Sequence, residues 1–223
     1  MLESSLRMVR YALVLASGSP RRRELLGLFD IPFKTRPADI DETQNADETP
    51  LDYVWRLARQ KGSAVAANNS DLPVLSADTI VEFEGSVWGK PVDLSDARRT
   101  LSALKGKTHR VYTAISLLDP AHNLELERMV KSEVHMRDYS DQELQAYLDS
   151  GDWRDKAGGY AIQHAGFHPC QGYTGSYSNI MGLPLCETAE LLRQAGFAIP
   201  VELKERAEAE LGVLLDCEEG GNA

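Results

Sequence analysis

Cysteine is scarce in this chain: three in 223 residues, at Cys170, Cys186 and Cys217, widely spaced, odd in number and with no CxxC pair. That argues against a disulfide framework or a zinc knuckle, makes a reducing cytosol the simplest setting, and so gives a cytoplasmic expectation. Long apolar runs are missing too. None approaches the roughly 20 residues that a membrane-spanning helix needs, and the opening stretch through Arg10, with its Glu3, lacks the apolar core of a signal peptide. Basic charge is in deficit: the formal net charge is −10, and no stripe of basic and aromatic residues offsets it. Stable nucleic-acid binding is therefore not expected. Neither GxxxxGK[ST] nor GxGxxG occurs, which leaves P-loop and Rossmann sites without support. His109, His122 and His135 have no HxxH or HExxH companions and read as structural or exposed. There is no internal repeat and no low-complexity linker, and the length allows one large domain or two closely packed lobes.

What the chain does have is concentrated first in Leu13–Leu26. Leu13-Val14-Leu15-Ala16 reads as a buried strand, and Leu25, Leu26 and Phe29 mark the inner face of a helix. Between them Ser19 is a good N-cap, and Pro20 suits the first helical position, where its missing N–H costs nothing. Ser17 and Gly18 are small enough for close backbone approach. The helix N-terminus, with Arg21, Arg22 and Arg23 beside it, makes a place for a phosphate chain. An acidic protein binds such a group when positive charge is focused in one cleft. The plainer alternative is a surface arginine cluster after an ordinary strand–helix turn.

Further on, Phe33–Arg36 reads as a short strand, and Ala38-Asp39-Ile40-Asp41-Glu42-Thr43 as an acidic loop. Thr49-Pro50 caps a helix to about Ala67 that buries Leu51, Val54, Leu57, Ala58 and Val65. Lys61 falls on that same face; its spacing favours a snorkelling side chain, and the alternative is a cleft-lining amine. Asp78 and Thr79 sit inside the apolar strand Pro73–Phe83, where a carboxylate must be paired, hydrogen-bonded or metal-bound, unless the strand bulges or ends there. Gly85 marks a hairpin turn, Lys90 lies on a constrained Gly-Lys-Pro loop, and Ser95 is expected to cap a helix to about Leu104. His109–Leu118 and Leu124–Met136 read as paired strands, and Ser140-x-x-Glu143 as a capping box. Asp155-Lys156-Ala157-Gly158-Gly159 leads into Tyr160-Ala161-Ile162-Gln163, read as a short strand ending in an amide able to donate to and accept from a pyrimidine edge. Gly172–Asn179 reads as a turn-rich loop, Pro184 as the start of a helix ending near Gly196, and Pro200–Leu215 as a last helix. The expected organisation is an N-terminal extension over 1–10, one domain of two lobes over 11–216, and a flexible tail over 217–223. Strands that first alternate with helices and then pair as hairpins favour an α/β fold with a mixed sheet.

Taken in order, Ser17-Gly18-Ser19-Pro20-Arg21-Arg22, Ala77-Asp78-Thr79, Gly89-Lys90-Pro91, Asp155-Lys156-Ala157-Gly158 and Gly182-Leu183-Pro184-Leu185 resemble the motif set of the Maf nucleoside triphosphate pyrophosphatases. Each motif is weak alone; the ordered set is highly specific. The resemblance implies an elongated mixed β-sheet with flanking helices, two lobes around a nucleotide-binding cleft, and often a homodimer. It implies hydrolysis of a nucleoside triphosphate to monophosphate and pyrophosphate with Mg²⁺ or Mn²⁺. Tyr160-Ala161-Ile162-Gln163 is similar to the branch acting on dTTP and UTP rather than the 7-methyl-GTP branch. By matching position, Asp78 is the implied proton acceptor, and Arg21, Thr79 and Gln163 set substrate choice. Glu42, Lys61 and Lys90 are the implied further catalytic groups, which reverses the snorkelling preference for Lys61. Asp78 and Glu42 are the implied metal ligands; Ser17, Ser19 and Arg22 hold phosphate, and Arg21 reaches either phosphate or base. The chain departs from the family pattern at His164, where a glycine more often follows the glutamine.

Overall fold

The computed structural model describes residues 12–68, 71–215 and 217. The extension expected over 1–10 and all of the expected tail except Cys217 lie outside them. One seven-stranded mixed sheet organises the chain, in the order β2 (Phe33–Thr35), β1 (Leu13–Leu15), β3 (Val74–Phe83), β5 (Thr108–Asp119), β6 (Leu124–Met136), β7 (Cys170–Thr174), with β4 (Ser86–Trp88) also on β3. β1 runs parallel to β2 and β3, and every other pairing is antiparallel.

The register of β3 creates the cleft. On one edge β5 pairs with it continuously from Val74 to Glu82. On the other edge β1 covers only Val74 and Leu75, and β4 resumes at Val81. The strand between these two partners keeps an open edge, and Asp78 and Thr79 lie at its middle. Asp78 therefore sits in uninterrupted strand, not at a bulge or a strand end.

Side-chain alternation then sends neighbouring residues to opposite layers. Val74 and Ile80 pack with α2 (Pro50–Ala66), whereas Leu75 and Ala77 join the cluster containing α1 (Pro20–Gly27), α6 (Leu185–Gln194) and α7 (Leu203–Leu211). Asp78 shares the α2 side and Thr79 the α1 side. A second large cluster gathers α3 (Leu94–Leu104), α4 (Asp141–Ser150), Trp153, Tyr160 and Phe167 beneath the far ends of β5 and β6. Helix α2 lies close on the sheet because Gly62 has no side chain: a Cβ there would come 2.8 Å from Ser76 Oγ, whose hydroxyl donates to the Ala58 carbonyl. That approach brings Lys61 onto β3.

Several local expectations hold. Ser19, Thr49 and Ser140 cap their helices, and the Ser140–Glu143 capping box is complete. Others do not. Asp93, not Ser95, caps α3 by accepting from Asp96 N–H, because the helix begins at Leu94. Leu51 is exposed on the first turn of α2. Tyr160–Gln163 is a turn following a 3₁₀ helix (Ala157–Gly159), not a strand. Gly172–Asn179 is not a loop: its first part lies in β7, and α5 (Tyr177–Met181) follows. The last helix is shorter than expected at both ends.

The cysteine expectation is also overturned. Cys186, in the first turn of α6, is disulfide-bonded to Cys217, with Cα atoms 5.4 Å apart. The turn between α6 and α7 folds the last helix back, so residues 31 apart in sequence meet. Loop closure of that length contributes about 3.5 kcal/mol. Reducing the bond, or changing Cys217→Ser, is expected to lower the denaturation midpoint accordingly, with no further loss when the serine variant is treated with reductant. The check is denaturant titration with and without reductant.

Candidate active site

A cleft of about 1280 Å³ opens over the exposed edge of β3. Its lining includes all the site residues that the family resemblance implies, Ser17, Ser19, Arg21, Arg22, Glu42, Lys61, Asp78, Thr79, Lys90 and Gln163, but not Arg23 of the arginine run. The volume exceeds what a drug-sized ligand needs.

At one side lies an ammonium between two carboxylates. Lys61 Nζ donates to Asp78 Oδ1 at 2.5 Å and pairs with Glu42 Oε1 at 2.9 Å. Lys61 is 8% exposed and Asp78 6%, so neither side chain snorkels or solvates freely. A pair this buried survives only with good geometry and satisfied partners. Glu42 reaches it from the acidic loop, whose backbone is tied to α2 by the Tyr53 hydroxyl donating to the Glu42 carbonyl at 2.7 Å. Burial pushes the Glu42 carboxyl up, but the hydrogen bond and charge of Lys61, with Lys90 and Arg22 nearby, outweigh that and hold it below the usual carboxylate range. One oxygen of each carboxylate is engaged by Lys61, which leaves Asp78 Oδ2 and Glu42 Oε2 open to the cleft. As hard oxygen donors, the two carboxylates suit a cation such as Mg²⁺ or Mn²⁺ in their chemistry. No group of three or more His, Cys, Asp or Glu able to hold a metal occurs among the described residues, so water and substrate oxygens would complete the shell.

The adjacent arginines divide the cleft. Arg22 Nε donates to the Gly182 carbonyl at 2.8 Å and Nη2 to Thr79 Oγ1 at 2.9 Å, while Thr113 Oγ1 holds Thr79 from behind at 2.9 Å. Gly182 carries φ +104° and could not take a side chain without strain. Burial pushes the Arg22 guanidinium down, and the charge of Asp78 opposes this. Arg21 points elsewhere. Burial lowers it too, against the fields of Asp152, Tyr147, Glu24 and Tyr160. Its side chain has no hydrogen-bond or ion-pair partner among the described residues. Arg22 thus belongs to the carboxylate side and Arg21 to the side of the Tyr160–Gln163 turn. At the α1 N-terminus, Ser17 Oγ accepts from Ser19 N–H and Ser19 Oγ from Arg22 N–H. That leaves the Gly18 and Arg21 N–H groups free of internal acceptors among the described residues.

Gln163 is exposed at the end of its turn, and no protein group bonds its amide among the described residues. His164 is turned away from it: the ring stands edge-on to Tyr147 at 5.0 Å, and its Nδ1 accepts from Phe167 N–H at 2.9 Å. This histidine braces the turn.

Sequence reasoning missed the supports behind these groups: Tyr53, Thr113 and the buried pair of His109 Nε2 with Tyr160 Oη at 2.7 Å. Strand alternation held a usable signal, since His109, Val111 and Thr113 share one face of β5. Burial, with a smaller contribution from His135, lowers His109 from 6.5 to about 4. The unfolded chain takes up that proton near 6.5 and the folded chain resists it, so the contribution is complete above 6.5 and is lost as pH falls toward 4, reaching about 3 kcal/mol. His109→Phe is expected to flatten the dependence of melting temperature on pH across that window, which thermal unfolding at a series of pH values checks.

A mixed sheet with an open central edge, a buried lysine–carboxylate cluster and an arginine-flanked helix N-terminus define an α/β protein with one strongly charged cleft. The family model described as Maf-like protein matches residues 12–195, and the chain belongs to that family. A dTTP/UTP pyrophosphatase of Anaeromyxobacter dehalogenans (strain 2CP-C) is 49% identical over 192 residues, covering 85% of this chain and 97% of that protein. Another, of Ruegeria sp. (strain TM1040), is 47% identical over 189 residues, covering 84% and 96%. The solved Staphylococcus aureus Ham1 protein aligns with TM-score 0.42 and 15% identity over 57% of this chain and 72% of that one, too distant to bear on function.

Proposed function

We propose that the chain is a nucleoside triphosphate pyrophosphatase that hydrolyses dTTP and UTP to the monophosphate and pyrophosphate, keeping unwanted nucleotides out of nucleic acid. The observation that carries this is the buried Lys61–Asp78 pair at 2.5 Å, joined by Glu42 and standing beside Arg22 in one cleft. Relatives named for that activity align over most of the chain.

In this mechanism Asp78 orients a water through its free oxygen and takes the proton as the water attacks the α-phosphorus in line. Lys61 fixes both carboxylates. Arg22, Lys90, Ser17, Ser19 and the free N–H groups of the α1 N-terminus take up the charge of the departing pyrophosphate. Glu42 directly, and Asp78 through the water that it orients, would hold a divalent cation, Mg²⁺ or Mn²⁺, which would supply Lewis-acid stabilisation of that charge. Thr79 acts as a spacer that sets where Arg22 stands. Gln163 accepts from the pyrimidine N3–H and donates to its neighbouring carbonyl, and Arg21, a donor only, favours that carbonyl over the amino group of cytosine.

The test is pyrophosphate release with Mg²⁺ across dTTP, UTP, CTP, GTP, ATP and 7-methyl-GTP. Release led by dTTP and UTP and stopped by chelation is expected; turnover that persists in excess chelator contradicts the metal role. Binding without release from any nucleotide would make the chain a regulatory nucleotide binder instead. The proposal includes a cytoplasmic enzyme, in keeping with free nucleotides as substrate; in that reducing setting the Cys186–Cys217 bond is open to reduction. No helix among the described residues is long and apolar enough to cross a membrane. The homodimer implied by the family resemblance is checked by light scattering.

A further inference from the structure

We propose that His109 is a positioning residue for nucleobase choice: it holds the Tyr160 hydroxyl from beneath and so fixes the turn that presents Gln163. The inference rests on the proposed reading of the base by Gln163. His109 is 2% exposed and is not among the residues that line the cleft, so it acts on a ligand only through what it touches. Its Nε2 lies 2.7 Å from Tyr160 Oη, with the rings edge-on at 5.3 Å and 75°. Its Nδ1 is buried with no hydrogen-bond partner among the described residues. Packing alone would be served better by an apolar ring, because an orphaned buried nitrogen is costly.

Tyr160 does line the cleft, and the turn after it is held by Ile162 packing against both large core clusters, by His164 and by the two hydrogen bonds of Ala161. Ala161 N–H donates to Tyr147 Oη at 3.1 Å, and the Ala161 carbonyl accepts from His164 N–H at 3.1 Å. With the Gln163 side chain itself unheld, its position is inherited from these fastenings and from the His109–Tyr160 bond. The same face of β5 carries Thr113, which steadies Thr79 and thereby Arg22. One strand behind the cleft thus supports both of its ends.

The experiment measures kcat and KM for UTP and CTP in the parent, His109→Phe, His109→Gln and Tyr160→Phe, with melting temperatures alongside. In His109→Phe and Tyr160→Phe the preference for UTP over CTP should fall about tenfold, chiefly through KM for UTP. His109→Gln, whose amide reaches the same hydroxyl, should restore most of it. Should His109→Phe fail to fold, Tyr160→Phe, which removes one oxygen, carries the same expectation. Equal losses on both nucleotides, or an unchanged preference with only a lowered melting temperature, would reduce His109 to packing and overturn the proposal. A parent enzyme with no preference for UTP defeats the functional reading itself, which is a separable result.

Discussion

Asp78→Asn is expected to lower turnover about a thousandfold while nucleotide binding persists, the range lost when a positioned general base is removed. The amide matches the carboxylate in shape, and β5 pairs with the strand on both sides of position 78, so the backbone has no reason to move. The side chain loses its charge, its capacity to take a proton and half of the proposed cation site. Lys61 keeps Glu42 as a partner at 2.9 Å, which limits the loss of stability. Steady-state pyrophosphate release and nucleotide titration by calorimetry separate the two effects. Turnover near that of the parent would assign Asp78 a structural role; collapse of the fold would do the same.

Lys61→Met should be worse for the fold and nearly as severe for activity. Removing the ammonium leaves Asp78 buried without its counter-charge and facing Glu42, and breaking a buried pair in this way costs about 3–5 kcal/mol. Turnover should fall about a hundredfold, since the carboxylates lose their fixed orientation. Mg²⁺ should then raise the melting temperature of the variant more than that of the parent, because a divalent cation replaces the missing positive charge between the two carboxylates. Denaturant unfolding with and without Mg²⁺ is the check. A variant as stable as the parent would show that the pair makes no net contribution.

The opening strand–helix unit was legible, apart from Ala16 and Phe29, which lie just past the ends of their elements, because its signals are local: a strand of apolar residues, a capping serine and a first-turn proline all act within a few positions. Asp78 and Thr79 were legible as anomalies inside an apolar strand, but not their opposite destinations, which follow from how β1 and β4 share one edge of β3. Spacing misjudged Lys61 because helical periodicity reports a face and not what lies opposite it, and the carboxylate that retains this lysine is 17 positions away on another element. Tyr160–Gln163 resembled a strand by composition, yet Gly158 and Gly159 at positive φ turn the chain before it, and Tyr147 takes the Ala161 N–H that a sheet partner would need. The cysteines misled for a similar reason. Wide spacing excludes a local knuckle, but a helical hairpin can bring distant residues together. Asp93 and Ser95 are both competent caps, and the start of the apolar face at Ala97 and Leu101 selects the earlier one.

The most direct measurement is ³¹P NMR of the products formed from UTP in ¹⁸O-labelled water. Attack at the α-phosphorus gives pyrophosphate and UMP, with the label on UMP alone. Orthophosphate and UDP, or label in the pyrophosphate, would place the attack on another phosphorus and contradict the arrangement of Asp78, Lys61 and Arg22 argued above.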